Sequence, residues 1–134
     1  MGKSRSELRK KCMVILYQVE LMKKSNISYD LDEIIKNNLD IDSEFVKDII
    51  YGVTTHNDEI EKEINKYLIN WSLDRLDKIG GAILKIATYE LMYTDTPPIV
   101  VINEAINLAK KYSDDSIRKI INASLDRMMK DYEW

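Results

Sequence analysis

The sequence has a single cysteine, Cys12, so no intrachain disulfide can form, which fits a reducing compartment. It has a single histidine, His56, too few for most zinc sites or for a histidine-based catalytic pair. Four glycines and two prolines cannot supply the repeated tight turns of an all-β fold. No apolar run approaches the roughly 20 residues that span a bilayer; Ile99–Ile102 is typical of the longest. No apolar stretch follows the basic start as in a secretory signal, so the expected location is the cytoplasm, with no membrane partner. Met1-Gly2-Lys3-Ser4-Arg5-Ser6 fits the loose N-myristoylation pattern, but residues 4–9 read as the start of a helix.

What is present is charge, unevenly placed. The chain of 134 residues has 20 Lys and Arg against 23 Asp and Glu, a net −3 that by itself argues against nucleic acid. Residues 1–24 carry seven basic and two acidic groups, net +5. Residues 25–63 carry three basic and eleven acidic groups, net −8, and residues 64–134 carry ten of each. A basic head of this kind fits an anionic partner, or it solvates the first helix.

Helical periodicity runs throughout. Ser4 and Glu7 have capping-box spacing, and Leu8, Cys12, Ile15, Leu16, Val19 and Leu21 or Met22 follow at helical intervals. Arg5, Arg9 and Lys10 are expected to lie off that stripe. A loop around Ser25–Tyr29 precedes a short helix capped by Asp30, and Ser43 caps a third. From Phe45 to Leu68 the helical period persists for over six turns, with a bend or break expected at the polar patch Thr54–Asp58. After a turn at Trp71–Asp74 a stripe runs through Leu76, Ile79, Ile83, Ile86, Ala87, Glu90 and Leu91. Pro97 and Pro98 force a loop. Two further helices follow, the last capped within Ser113–Ser116. No segment alternates with period two, so the fold class is all-α, a pair of small helical bundles joined near Trp71.

Residues suited to catalysis are sparse. Gly80-Gly81 lacks the spacing of a phosphate-binding loop, Cys12 lies on an apolar stripe, and the acids at 30–63 serve caps and exposed faces. Asn103 and Glu104 follow the proline pair, a setting for packing, capping or an ion pair. The reading is not an enzyme, with no cofactor and no metal.

Three stretches carry a family resemblance. The first is Arg9-Lys10-Lys11-Cys12-Met13-Val14-Ile15-Leu16-Tyr17-Gln18-Val19-Glu20. The second runs from Trp71-Ser72-Leu73-Asp74-Arg75-Leu76 to Ala82-Ile83-Leu84-Lys85-Ile86-Ala87-Thr88-Tyr89-Glu90-Leu91. The third is Pro97-Pro98-Ile99-Val100-Val101-Ile102-Asn103-Glu104-Ala105-Ile106-Asn107-Leu108-Ala109-Lys110-Lys111-Tyr112. In order and spacing they resemble the NusB family of bacterial transcription antitermination factors, across nearly the whole chain.

The resemblance implies one domain over 1–134, with helical subdomains at about 1–70 and about 71–134. It implies binding to single-stranded boxA RNA of ribosomal RNA leaders. It also implies partnership with NusE, a small-subunit ribosomal protein, and entry into an RNA polymerase antitermination complex. Lys3, Arg5, Arg9 and Lys10 are the expected phosphate contacts, since each neutralised phosphate releases counterions. Lys85 and Lys119 join them by position in the family pattern. Tyr17, placed at the end of the first helix, and Asp74 are the expected partner contacts. Tyr17 also fits the core, and each cation also fits a solvated surface.

Three departures stand out. Lys119-Ile120-Ile121-Asn122-Ala123-Ser124-Leu125-Asp126 replaces the family's Lys-Phe-Val-Asn-Gly-Val-Leu-Asp. Ile120 thus stands for an aromatic able to contact a base, and Ala123 for a glycine expected at a close helix approach. Gly80-Gly81 replaces a pair that is usually charged. Inside a helix the two would cost about 1–2 kcal/mol relative to alanines, so either the helix starts near Ala82 or an acidic NusE contact is missing. The alternatives are a protein-interaction module or homodimer with weakened RNA recognition, or an accessory domain like those preceding some ribosomal RNA methyltransferase domains.

Overall fold

The computed structural model describes residues 3–132, so Gly2 of the lipidation pattern lies outside the described residues. The N–H of Glu7 donates to Ser4 Oγ at 3.2 Å and starts α1, Arg5–Lys24. Asp30 accepts from the backbone of Asp32 and Glu33 and starts α2, Leu31–Asn38. Ser43 does the same for Val46 and starts α3, Glu44–Thr55. Each cap satisfies backbone donors that have no partner within the helix.

The long periodic run from Phe45 is two helices. His56 leaves helical geometry (φ −103°, ψ 22°), and α4 resumes over Asn57–Tyr67. A 3-10 turn at Leu73–Arg75 is tied back to α4 by Leu73 N–H, which donates to Asn65 Oδ1 at 2.8 Å. Then come α5, Lys78–Tyr93, α6, Pro98–Tyr112, and α7, Asp115–Asp131. Pro98 takes the first helical position, where a missing N–H costs nothing, and Asp114 caps α7 through Ile117 N–H at 2.8 Å. Among the described residues every regular element is helical.

The fifth helix is the centre of the molecule, packed against α1, α3, α4, α6 and α7. Its buried residues Ile83, Leu84, Ile86, Ala87 and Leu91 join α1, α3, α4, α6 and α7 side chains in one apolar cluster. Two expectations are corrected here. The helix begins at Lys78 with Asp77 as its cap, so both glycines lie inside its first turn rather than before it. Close approaches are at Gly52 of α3, where a Cβ would run into the Tyr89 ring of α5, and at Gly80, where a Cβ would stand 2.7 Å from Ile117 Cγ2 of α7. Ala123, expected at such a contact, is exposed.

Candidate nucleic-acid interface

The first helix turns Cys12, Met13, Ile15, Leu16 and Val19 inward. That rotation leaves Ser6 and Lys10 exposed beside the stripe, while Arg5, one turn before Arg9 in line with the stripe, is exposed because it begins the helix. The sixth helix buries Val101, Ile102, Ala105, Leu108 and Ala109, and so exposes Asn107, Lys110 and Lys111. The two outward faces border a groove of about 520 Å3 that gathers Lys10, Lys110, Lys111 and Tyr112. Lys10 Nζ lies 5.5 Å from the centre of the Tyr112 ring. On the α3 side, the Arg5 guanidinium lies 4.3 Å from the Phe45 ring centre. Basic side chains set beside aromatic faces are the combination that tracks a nucleic-acid backbone and stacks its bases.

Arg9 is the main correction to the expected site. It does not point outward; it is 3% exposed and lies on the buried stripe. Its Nε and Nη2 donate to Glu90 of α5 at 2.8 and 2.7 Å, and its Nη1 is 3.9 Å from Glu104 of α6. Ser6 donates to Glu104 at 2.7 Å, so a chain of contacts joins α1, α5 and α6 beneath the groove. Burial alone would make the guanidinium a stronger acid, but the hydrogen bonds and charge of Glu90, with Glu104, outweigh it and hold the cation more firmly than usual. A cation spent inside this pair presents no charge to phosphate.

The other expected residues are spread over the surface. Lys3 is exposed just before α1. Lys119 is exposed on α7 and lines neither this groove nor the cleft described next. Lys85 is half-buried and donates to Asn57 Oδ1 at 3.0 Å. It lines a separate cleft of about 140 Å3 beside the C-terminal half of α1, so the structure does not bring it to Lys10. Asp74 lines that same cleft and accepts from Ser72 Oγ. Tyr17 is half-buried and lies two turns before the end of α1, not at its end. Glu104 takes the ion-pair option of the three expected for it.

Sequence reasoning passed over Lys110, Lys111, Tyr112 and Phe45. The Lys-Lys-Tyr run at the end of α6 was a visible signal, a basic pair followed by an aromatic. Its meaning depended on α6 lying beside α1.

The NusB family profile matches residues 6–130. The transcription antitermination protein NusB of Macrococcus caseolyticus is 38% identical over 129 residues, covering 95% of this chain and 97% of that one. The structure of T. maritima NusB superposes with a TM-score of 0.84 at 34% identity, covering 97% of this chain and 93% of that one. A chain from the crystal structure of antitermination factors NusB and NusE in complex with dsRNA superposes with a TM-score of 0.83 at 25% identity, covering 98% of this chain and 100% of that one. The match extends over almost the full length in sequence and in three dimensions, and the chain belongs to the NusB family.

Proposed function

We propose that the chain is an RNA-binding transcription antitermination factor. It recognises boxA RNA of ribosomal RNA leader transcripts together with NusE, and helps RNA polymerase avoid premature termination. The observation that carries the RNA half is the groove between α1 and α6. Lys10, Lys110 and Lys111 converge on it, and none of them is held in an ion pair among the described residues. Lys3 and Arg5 extend the basic surface toward the start of α1 and Phe45. Phosphates would lie along these cations, and unstacked bases would meet the aromatic rings.

The relatives' names support the antitermination role, and a related NusB chain crystallised with NusE and RNA supports both partners. For NusE, the proposed contacts are Tyr17 and Asp74, the latter in the second cleft; Lys85 in that cleft and Lys119 on α7 are proposed RNA contacts apart from the groove. The reading involves binding alone, with no chemical step.

The test is a titration of a boxA-like RNA and a scrambled RNA of equal length, each with and without NusE. The boxA-like strand is expected to bind more tightly, and more tightly still with NusE. Equal affinity for both strands in both conditions overturns the reading.

A further inference from the structure

We propose that the outward face of α3, with the end of α5 beside it, docks an arginine-bearing segment of a partner protein, the guanidinium stacked on tyrosine and paired with carboxylate. This goes beyond the RNA reading and does not depend on it. Glu44, Asp48, Tyr51 and Thr55 recur at helical intervals and share one exposed face of α3. They border a groove of about 430 Å3 that His56 and Tyr89 complete. The bare backbone of Gly52 lets the Tyr89 ring lie against α3, since a Cβ there would run into it. Tyr93 continues the row of rings. It stacks on His56 at 4.3 Å between ring centres and on Tyr89 at 5.4 Å. Tyr51 and Tyr93 are each 37% exposed.

Two features commit this face to a cation. The first is how its rings are used. Three rings elsewhere carry a cation of the chain itself: Arg5 sits over Phe45, Lys10 over Tyr112 and Arg75 over Trp71. Among the described residues no Lys or Arg sits over Tyr51, Tyr89 or Tyr93. The second is the charge around them. Asp48 and Glu59 are exposed, and they accept the hydroxyls of Tyr89 and Tyr93, which leaves lone pairs on each carboxylate. Lys47, the only lysine lining the groove among the described residues, is held by Asp42 at 2.8 Å. The face belongs to the stretch 25–63, net −8, which repels phosphate and attracts a basic partner. Arginine suits it better than lysine, because a planar guanidinium stacks on a ring while its fork bonds a carboxylate.

The probe is a capped Gly-Ser peptide carrying spaced arginines, titrated into the full chain beside versions carrying lysine or citrulline, the uncharged shape of arginine. The arginine peptide is expected to bind most tightly, the lysine peptide about three-fold more weakly, and the citrulline peptide not measurably. Tyr51→Leu and Tyr93→Leu are each expected to weaken the arginine peptide about three-fold. Asp48→Asn, which keeps an acceptor for the Tyr89 hydroxyl, weakens it too and covers the case in which a leucine variant unfolds. Trp71→Leu, whose ring Arg75 already covers, and Asp32→Asn on α2 leave it unchanged. Arginine and citrulline peptides that bind alike, no binding of the arginine peptide, or affinity unchanged in Tyr51→Leu and Asp48→Asn overturns the proposal. So does a dimer of the wild type that Asp48→Asn dissociates, which makes a second copy the occupant. RNA affinity is expected to be the same in all these variants, so the RNA reading stands or falls separately.

Discussion

Arg9 and Glu90 hold each other across α1 and α5 by a pair of hydrogen bonds at 2.8 and 2.7 Å, and almost none of either residue reaches water. Both interrupt apolar stripes of their own helices, and each makes the other tolerable there. Removing one charge strands its partner in the core. Arg9→Met or Glu90→Leu alone is predicted to cost about 3–5 kcal/mol of stability. The double variant recovers much of that loss, because neither charge is then left uncompensated. Urea unfolding of the three variants checks this, and additive losses would contradict it. Any loss of RNA binding in an Arg9 variant is expected to follow its loss of fold.

The adjacent glycines of α5 behave oppositely. A Cβ at Gly80 would stand 2.7 Å from Ile117 Cγ2 and 2.9 Å from Asp77 Oδ1, pressing on α7 and on the cap of α5 at once. A Cβ at Gly81 meets only Leu73 Cδ1, at an ordinary 3.6 Å. Gly80→Ala is therefore predicted to destabilise by about 1–3 kcal/mol. Gly81→Ala is predicted to stabilise by about 0.5–1 kcal/mol, through helix propensity. Denaturant midpoints of the two variants, moving in opposite directions, are the readout.

Alkaline pH tests the contacts around the helix ends. Burial and the hydrogen bond to Asp131 push the Tyr67 hydroxyl up to about 12. The hydrogen bond to Glu59 and burial push Tyr93 up to about 12. Burial and the charge of Glu63 raise Tyr132 as well. In the unfolded chain tyrosine ionises near pH ~10. Between that value and the folded one, the native state holds protons that the unfolded state has released. These groups thus contribute their full stability below pH ~10 and lose it as pH rises toward the folded values. The melting temperature is predicted to fall across that window while tyrosinate absorbance rises, and Tyr67→Phe is predicted to flatten the fall.

Cys12 is fully buried on α1, and burial, reinforced by the charge of Glu90, pushes its thiol up to about 12. The thiolate is the reactive form, so the native protein is predicted to resist alkylation at neutral pH and to react rapidly once unfolded. Mass spectrometry after iodoacetamide treatment, with and without denaturant, distinguishes the two.

Much of this architecture was readable in the residues. The caps at Ser4, Asp30, Ser43 and Asp114 lie where short polar side chains precede an apolar period. The inward faces of the helices follow from that period. The start of α5 did not follow, because two glycines lower helix propensity while the Asp77 cap and the packing of Ile117 on Gly80 override it. The site was legible in part. Lys10 stood out by its place in the basic head. Arg9 misled because Arg usually marks a surface, although its spacing from Cys12 and Met13 extends the buried stripe. Glu90, on the apolar stripe of α5, signalled a buried acid in need of a cation. Which cation it found depended on two residues 81 positions apart meeting in space. The same holds for Tyr112, which no local pattern ties to Lys10.

The central claim is that exposed lysines of α1 and α6, and not the buried Arg9, carry the electrostatic part of RNA binding. Its most direct test is the salt dependence of affinity for a boxA-like single strand. Wild type, Lys10→Gln, Lys111→Gln and, as a control away from the groove, Lys36→Gln would be compared. Each lost phosphate contact is predicted to lower the slope of log affinity against log salt by about 0.7, in Lys10→Gln and in Lys111→Gln but not in Lys36→Gln. Slopes identical to wild type in the two groove variants, with the fold intact, would contradict the account.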